Sequence, residues 1–465
     1  MRQQWQPALE LEGRCAQILN EMTDYGWLLD EDKVHVLQHK IEKVTNMVDA
    51  VVMPRIPQLV KKKGAKCKDD SDLDFAIKLP FKKDGSYSAN TLKYFPELGD
   101  AMCWKEPTFC VDGPFCRFDW VDINLGSNDQ VKTYLLSVGW IPTEWNKVQA
   151  GERKGERTSP KLTEDSFDSL RDDTGKLVAK RLKYQHRNST LNGWLRDVRP
   201  DGRIGQVISG VTPTFRYTHK KIVNVPGGHA LFGKQMRSCF KAKPGYKIVG
   251  VDAASCQLRM LCHYMHDDDY TFYVIHGKEE DGTDPHTMNM KKSNGIITDR
   301  DMAKRFIYGF LFGAGNEKIG NTVGGTVNTG KKLRQAFLAN LPGLASLLKQ
   351  LTKVWKKRGY IKGLDGRKIY VRSEHMLLVY LLQAAEALLM KVAMVFLHAW
   401  FNEEGLDAHY VAFVHDELQA EVKNEDVARY EELAAAAMVR AGEYLKLSVP
   451  TAGTPKHGST WKHTH

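Results

Sequence analysis

The sequence predicts an α+β protein, and three observations carry that prediction. Residues 7–52 and about 127–194 place apolar side chains at helical spacing. Short β-branched runs that end on turns, such as Ile248, Val249 and Val251 or residues 410–414, read as strands. The most apolar stretch, 376–401, is interrupted by Gln383, Glu386, Lys391 and His398, which marks one or two buried core helices rather than a membrane span.

Composition sets the bounds. A chain of 465 residues exceeds one ordinary core, so two to four subdomains are expected. Hydrophobic residues at 42% and charged residues at 26% are ordinary globular values. The net charge of +11 and pI near 9.0 favour a polyanionic partner, nucleic acid before membrane surface. Eight cysteines form no CxxC pair, as expected of reduced thiols in a cytoplasmic protein, and no histidine pattern near Cys103, Cys110 and Cys116 supports a zinc site. The first ten residues, MRQQWQPALE, carry no apolar signal core.

In chain order, Leu9, Leu11, Ile18 and Leu19 precede a break at Gly26 and a second amphipathic run from about Asp30 to Val52, so 1–52 reads as a helical lead-in segment. Residues 53–123 read as a loop-rich insertion, with Lys61, Lys62, Lys63, Lys66 and Lys68 ahead of Asp69, Asp70, Asp72 and Asp74. That lysine cluster fits a solvated surface or a grip on single-stranded nucleic acid or a partner protein. The helical region after Ser127 contains a Gly, Lys, Arg and Glu-rich tip at 149–159. Residues 202–240 shift to short strands, 204–208 and 221–225, with turns at Gly210 and Pro226-Gly227-Gly228.

Three stretches carry chemistry. In YKIVGVDAASCQLRMLCHYM (246–265) a buried strand ends on Asp252, and from Ser255 the residues Leu258, Leu261, Cys262 and Met265 form one helical face. In HYVAFVHDELQAEV (409–422) a strand turns at His415-Asp416 and returns from Leu418, with Glu417 beside the turn. Each aspartate alone reads far more simply as a turn or cap residue. Brought together by the fold, two such carboxylates supply hard oxygen ligands for two Mg2+ ions in phosphoryl transfer. The third stretch, TDRDMAKRFIYGFLFGAG (298–315), reads as a helix capped by Thr298, with Asp301 as its capping-box partner, and stopped at Gly313. Arg300, Lys304, Tyr308 and Phe312 recur every four residues, and each step of four advances only about 40° around a helix. They therefore share one drifting face, with cations for phosphate oxygens at one end and aromatic planes at the other.

Asp252 with its following helix, Arg300-x3-Lys304-x3-Tyr308-Gly309, and His415-Asp416-Glu417 together resemble the three polymerase motifs of family A DNA polymerases, nearest their phage replicative branch. The segment IKGLDGRK (361–368), the helix bearing Gln383, Asp284-Pro285-His286-Thr287 and the terminal segment from Trp461 add to the resemblance. It is strong from about Thr214 onward, fainter in 8–52 and 124–200, and absent from the insertion. What it implies is a right-hand architecture: a palm with an antiparallel sheet in 202–265 and 376–465, fingers in 266–375 and a helical thumb in 124–201.

The resemblance further implies that Asp252 and Asp416, with the Ala253 carbonyl, hold two Mg2+ ions, for which Mn2+ can substitute. Glu417 and Lys304 join the catalytic set, and His415 neighbours the primer terminus. Arg300, Lys304, Tyr308 and His286 hold the nucleotide, beside Gln257 and Phe312. Arg216, Arg237, Gln383 and His415 contact primer-template DNA, and the groove contacts test pairing geometry without reading sequence. The implied activity is primer extension with dNTPs in phage DNA replication in the host cytoplasm. No exonuclease motif is legible, since Asp30 and Asp32 do not resemble it, so no proofreading exonuclease activity is expected, which leaves room for a separate exonuclease or processivity factor.

The chain departs from the family at several places. Gln257 stands where Glu is usual and Phe312 where a second Tyr is usual, and those two family side chains share a hydrogen bond that cannot form here. Gln257 keeps the bulk that blocks a ribose 2′-hydroxyl and loses the charge, so weaker sugar discrimination is expected. Val379 replaces an Asn that contacts DNA, and Tyr308 implies acceptance of dideoxynucleotides. Two alternatives stay open: a single-subunit RNA polymerase-like enzyme, against which Gln257 and Glu417 argue, and an inactive DNA-binding homologue.

Overall fold

A computed structural model describes residues 2–63, 77, 79–99, 111, 113, 115 and 117–464. The chain divides into two compact units, 1–37 with 190–465, and 38–189. The lysines and aspartates at 66–74, and Cys67, Cys103, Cys110 and Cys116, lie outside the described residues; Cys15, Cys239, Cys256 and Cys262 are free and buried.

Helix α1 (Arg2–Tyr25) and helix α2 (Glu31–Val52) are the two amphipathic runs expected at the start of the chain. The break between them holds a short strand, β1 (Trp27–Leu29). Gly26 makes the turn at a φ of 69°, and a Cβ there would meet the Ile204 carbonyl at 2.9 Å.

The unit formed by 38–189 is built on α2, α4 (Asn128–Ser137) and α5 (Asp173–Asp197), which enclose a core of Val52, Val131, Leu135, Trp140 and Val178. Arg181 ties α5 to α2 through Asp49, at 2.5 and 3.0 Å. The stretch expected to be loop-rich contains an antiparallel pair, β2 (Leu59–Lys63) with β3 (Arg117–Val121), and a short helix α3 (Ala89–Tyr94) capped by Ser88. The expected tip at 149–159 is the turn of a hairpin, β4 (Trp145–Lys147) with β5 (Arg157–Pro160), in which Gly151 and Gly155 take positive φ.

In the other unit, β6 (Arg203–Ile204) and β9 (Phe240–Lys241) flank β1. A separate hairpin joins β7 (Val207–Val211) to β8 (Tyr217–Lys220). The strand expected at 221–225 is absent, and the strand runs through Tyr217–Lys220 instead. Lys221 and Asn224 both take left-handed φ, at 67° and 51°, which ends extended pairing. A short helix, α6 (Gly233–Arg237), leads into β9.

The sheet that carries the site has four strands in the order β13-β14-β10-β15. These are β10 (Tyr246–Ala253), β13 (Ala408–Val414), β14 (Glu417–Lys423) and β15 (Gly453–Gly458), all antiparallel to their neighbours. Helix α7 (Cys256–Met265) follows β10, with Leu258, Leu261, Cys262 and Met265 buried as the spacing predicts. Beyond it lie α8 (Asp268–His276), α9 (Pro285–Lys291), α10 (Arg300–Leu311), α11 (Asn316–Thr322), α12 (Val327–Ala339) and α13 (Pro342–Arg358). A small hairpin, β11 (Tyr360–Lys362) with β12 (Lys368–Tyr370), then precedes α14 (Leu377–Glu403), and α15 (Val427–Tyr444) lies between β14 and β15.

Helix α14 is one continuous core helix. It is long and apolar enough to cross a membrane, but 83% of its most apolar window is buried against the rest of the protein. Its polar interruptions have partners: the Lys391 ammonium meets both Glu12 oxygens at 2.8 and 2.9 Å, and His398 meets Glu21 at 3.0 Å.

Candidate active site

The site is built where β10 and β14 end side by side. Asp252 is paired in register with Glu417, and the Ala253 amide donates to the Asp416 carbonyl at 3.0 Å. The turn that sets Asp416 beyond the strand end needs a left-handed residue, and His415 supplies it at a φ of 54°. Ser255 does the same at 48° for the turn between β10 and α7. Asp252 is half-buried, Asp416 exposed and Glu417 buried. Two carboxylates with open space above a fixed sheet edge suit a divalent cation that keeps water and substrate oxygens in its shell. Among the described residues no cluster of three or more His, Cys, Asp or Glu side chains could close a protein-only metal cage.

Glu417 faces inward. Its carboxylate accepts from the Trp461 indole at 2.8 Å and from the Gln419 amide. Gln419 occupies space left by Gly250, where a Cβ would stand 2.1 Å from the amide nitrogen. Burial raises the Glu417 carboxyl above its usual range, against the pull of Trp461, Arg237 and Gln419. Arg237 is also buried: its guanidinium stacks over Trp461 at 4.5 Å and its Nε donates to the Pro226 carbonyl at 3.0 Å. At 6% exposure it presents little surface to a ligand, and its charge acts on Glu417 and Asp252.

Helix α10 supplies the cationic and aromatic face. Its cap is Asp299, whose side chain accepts from the Met302 amide at 2.7 Å, and not Thr298 as expected; Asp299 stands directly before the first helical residue. Lys304 is exposed. Tyr308 and Phe312 stack at 6.4 Å, and the His286 ring lies 6.0 Å from Tyr308. Burial raises the Tyr308 phenol and the Asp416 charge adds to that shift, so the aromatic end of this face feels the carboxylate turn. Burial lowers the His286 imidazole, and Arg300 and Lys304 lower it further.

Arg300 is engaged twice, by Asp284 at 3.1 Å and by Glu279 at 3.0 Å. Asp284 caps α9 and is nearly inaccessible. Burial would raise its carboxyl, but the Thr287 hydroxyl, Arg300 and the His286 amide together hold it below the usual carboxylate range. In the sequence Asp284 stood out only as part of Asp284-Pro285-His286-Thr287, which added to the resemblance, and not as the partner of Arg300.

The remaining expected residues gather around α14. Thr214 donates to Gln383 at 3.3 Å. Arg216 makes an ion pair with Glu386, whose other oxygen accepts from the Gln257 amide at 2.9 Å. Glu386 is fully buried, and burial pushes its carboxyl up to about 7 despite Arg216. Sequence reasoning registered Glu386 only as an interruption in an apolar stretch. His415 is exposed at the turn, with the His219 ring 6.2 Å away and His219 Nε2 2.8 Å from the Phe413 carbonyl.

The sequence profile of DNA polymerase family A matches residues 117–463. A DNA-directed DNA polymerase of Enterobacteria phage T3 is 32% identical over 404 residues, covering 77% of this chain and 55% of the phage protein. The Escherichia phage T7 protein of the same name gives the same figures, so the chain spans about half the length of these two relatives. A DNA-directed DNA polymerase of Escherichia phage Phieco32 is 29% identical over 484 residues, covering 84% of this chain and 78% of that protein. Among solved structures, the POL domain of Pol1 from M. smegmatis, in complex with DNA primer-template and dNTP, matches the fold with a TM-score of 0.69 at 19% identity. That match covers 97% of this chain and 70% of the other.

Proposed function

This chain belongs to DNA polymerase family A, and from that premise we propose that it extends a primer 3′-hydroxyl with dNTPs on a DNA template. The observation that carries the reading is the pair Asp252 and Asp416 on neighbouring strand ends, tied by the bond from the Ala253 amide to the Asp416 carbonyl. Within the fold, 202–265 and 376–465 act as palm, 266–375 as fingers and 124–201 as thumb. The segments 1–52 and 53–123 are a lead-in and an insertion, the latter a candidate contact for a separate processivity factor. We place the activity in phage replication in the host cytoplasm.

Asp252, Asp416 and the Ala253 carbonyl hold the divalent cations, Mg2+ by ligand type, with Mn2+ as a substitute. When bound, those ions lower the pKa of the primer hydroxyl and neutralise charge on the transferring phosphoryl group. The protein's own residues do the positioning. Lys304, exposed one helical turn from Arg300, meets the β- and γ-phosphate oxygens and offsets charge on the leaving pyrophosphate. Arg300 swings from the exposed Glu279 to phosphate while Asp284 keeps hold of its Nε. Tyr308 stacks against the incoming base and sugar, backed by Phe312, and His286 adds a donor to the triphosphate. Gln257 stands against the ribose 2′ position. Arg216 and Gln383 reach the minor-groove edge of the terminal pair, His415 lies beside the primer end, and Glu417 with Arg237 supports the carboxylate turn from beneath.

Primer extension on a defined template tests this, with Mg2+ omitted and with ribonucleotide and dideoxynucleotide controls. The expected result is metal-dependent extension by dNTPs, termination by dideoxynucleotides, and a loss of about a thousandfold or more in kcat for Asp252→Asn and Asp416→Asn with primer-template binding retained. Extension by ribonucleotides alone would favour the RNA polymerase alternative, and unchanged turnover in either aspartate variant would refute the assigned site.

A further inference from the structure

Gln257 and Phe312 cannot make the carboxylate-to-hydroxyl bond that the resemblance leads one to expect, and an isolated Gln side chain is free to move among rotamers. The chain places a different carboxylate against it. Glu386 comes from α14, 129 residues away in sequence, and its Oε2 accepts from Gln257 Nε2 at 2.9 Å. Its Oε1 is bound by the Arg216 guanidinium. Glu386 lies three residues after Gln383, on the same helical face, and Gln383 is itself held by Thr214 at 3.3 Å. A fully buried carboxylate on a largely apolar core helix is costly unless both oxygens are satisfied, and here one oxygen takes Gln257 and the other Arg216.

We propose that Glu386 is a positioning residue for sugar selection: it holds the Gln257 amide in one rotamer against the 2′ position of the incoming nucleotide, and joins it to Arg216 at the terminal base pair. This rests on the polymerase reading of the site. With Oε1 taken by the Arg216 guanidinium, the other Glu386 oxygen accepts from the Gln257 amide nitrogen, which fixes which end of the amide faces it and leaves the side chain extended as a stop. Removing Glu386 leaves the bulk of Gln257 in place but lets it swing aside, so a ribose fits where it did not. The Glu386 carboxylate, carried by α14, thereby replaces the lost family contact.

The test compares kcat/KM for dCTP and for CTP opposite template G, using the full 465-residue chain with primer-template and Mg2+. The variants are Glu386→Ala, Gln257→Ala, their double and Glu386→Gln. Both constants come from one preparation, so their ratio does not depend on the fraction of protein that folds. The expected result is a fall of tenfold or more in the dCTP/CTP ratio for each single variant and no further fall in the double. Glu386→Gln keeps one acceptor oxygen for two donors, Arg216 and the Gln257 amide, so its ratio falls between those of the wild type and Glu386→Ala. If Glu386→Ala proves too unstable to assay, Glu386→Met, which fills the same space without an acceptor, carries the comparison. A ratio within twofold of wild type in Glu386→Ala or Glu386→Met, or single effects that multiply in the double, overturns the inference. Failure of the wild-type protein to extend with dCTP would refute the polymerase reading instead.

Discussion

Glu12→Ala should destabilise the unit that carries the site by about 3 kcal/mol, because Glu12 neutralises a lysine buried in the middle of α14. The Lys391 side chain is 1% exposed, and its ammonium contacts both Glu12 oxygens at 2.8 and 2.9 Å. Arg367, also buried, adds a third contact to Glu12 at 2.7 Å and keeps Asp365 at 2.6 Å. Burial lowers the Lys391 pKa and the Glu12 charge opposes that shift. With Glu12 gone, the Tyr217 ring, 4.4 Å from the Lys391 ammonium, remains as a polarisable neighbour. Breaking one half of a buried pair costs about 3–5 kcal/mol. Shedding the Lys391 proton at pH 7.5 caps the loss near 4 kcal/mol, about three pH units at 1.36 kcal/mol each. Glu12 is one-third exposed, so water reaches the gap and the lower end applies. For the roughly 310 residues of this unit, an unfolding entropy of about 2.1 cal/mol/K per residue turns 3 kcal/mol into a fall of about 5 °C in Tm. Differential scanning calorimetry of Glu12→Ala, Lys391→Met and the Glu12→Ala/Lys391→Met double measures it. The double should recover most of the loss, since two neutral side chains leave no stranded charge. A Tm change below 1 °C for Glu12→Ala, or a double that loses the full sum, would refute the reasoning.

Two further predictions concern the nucleotide face and pH. Asp284→Asn should raise the KM for dNTP several-fold because Arg300 loses its buried anchor, whereas Glu279→Gln should lower it slightly by removing an exposed competitor worth less than about 1 kcal/mol; steady-state titration of dNTP separates the two, and parallel changes would contradict the assigned roles. Burial lowers the pKa values of His219, His263 and His286 from their usual 6.5. The unfolded chain therefore binds protons first, and these groups withdraw stability as pH falls below about 6.5. The raised Glu386 and Glu417 carboxyls act oppositely, adding stability as pH falls through their folded pKa values. His219→Gln isolates one contribution: its Tm should decline less than that of the wild type between pH 7 and pH 5.5, and an identical decline would remove His219 from the account.

Much of the site was legible in the primary structure because its signals are local. The change of period at Asp252, the hairpin at His415-Asp416 and the four-residue spacing of Arg300, Lys304, Tyr308 and Phe312 each sit within about twenty residues, where periodicity reports on backbone geometry. Local signals also misled. Thr298 looked like a cap, yet Asp299, one residue closer to the helix, took that place. The strand expected at 221–225 gave way to Tyr217–Lys220 because Lys221 and Asn224 adopt a left-handed backbone that composition does not announce.

By itself, then, the amino-acid order determined which carboxylates, cations and aromatic rings stand at strand ends and on one helical face, and hence the class of chemistry. Only the tertiary structure decided which of them meet. Gln257 and Glu386 are 129 residues apart, Arg216 and Glu386 170, and Glu12 and Lys391 379. Such contacts depend on how α14 packs against α1, α7 and the hairpin of β7 and β8, and no periodicity in the chain encodes a partner at that distance. A buried carboxylate in an apolar helix signals that a partner must exist, because an unpaired charge there would be too costly. Its identity is set by packing.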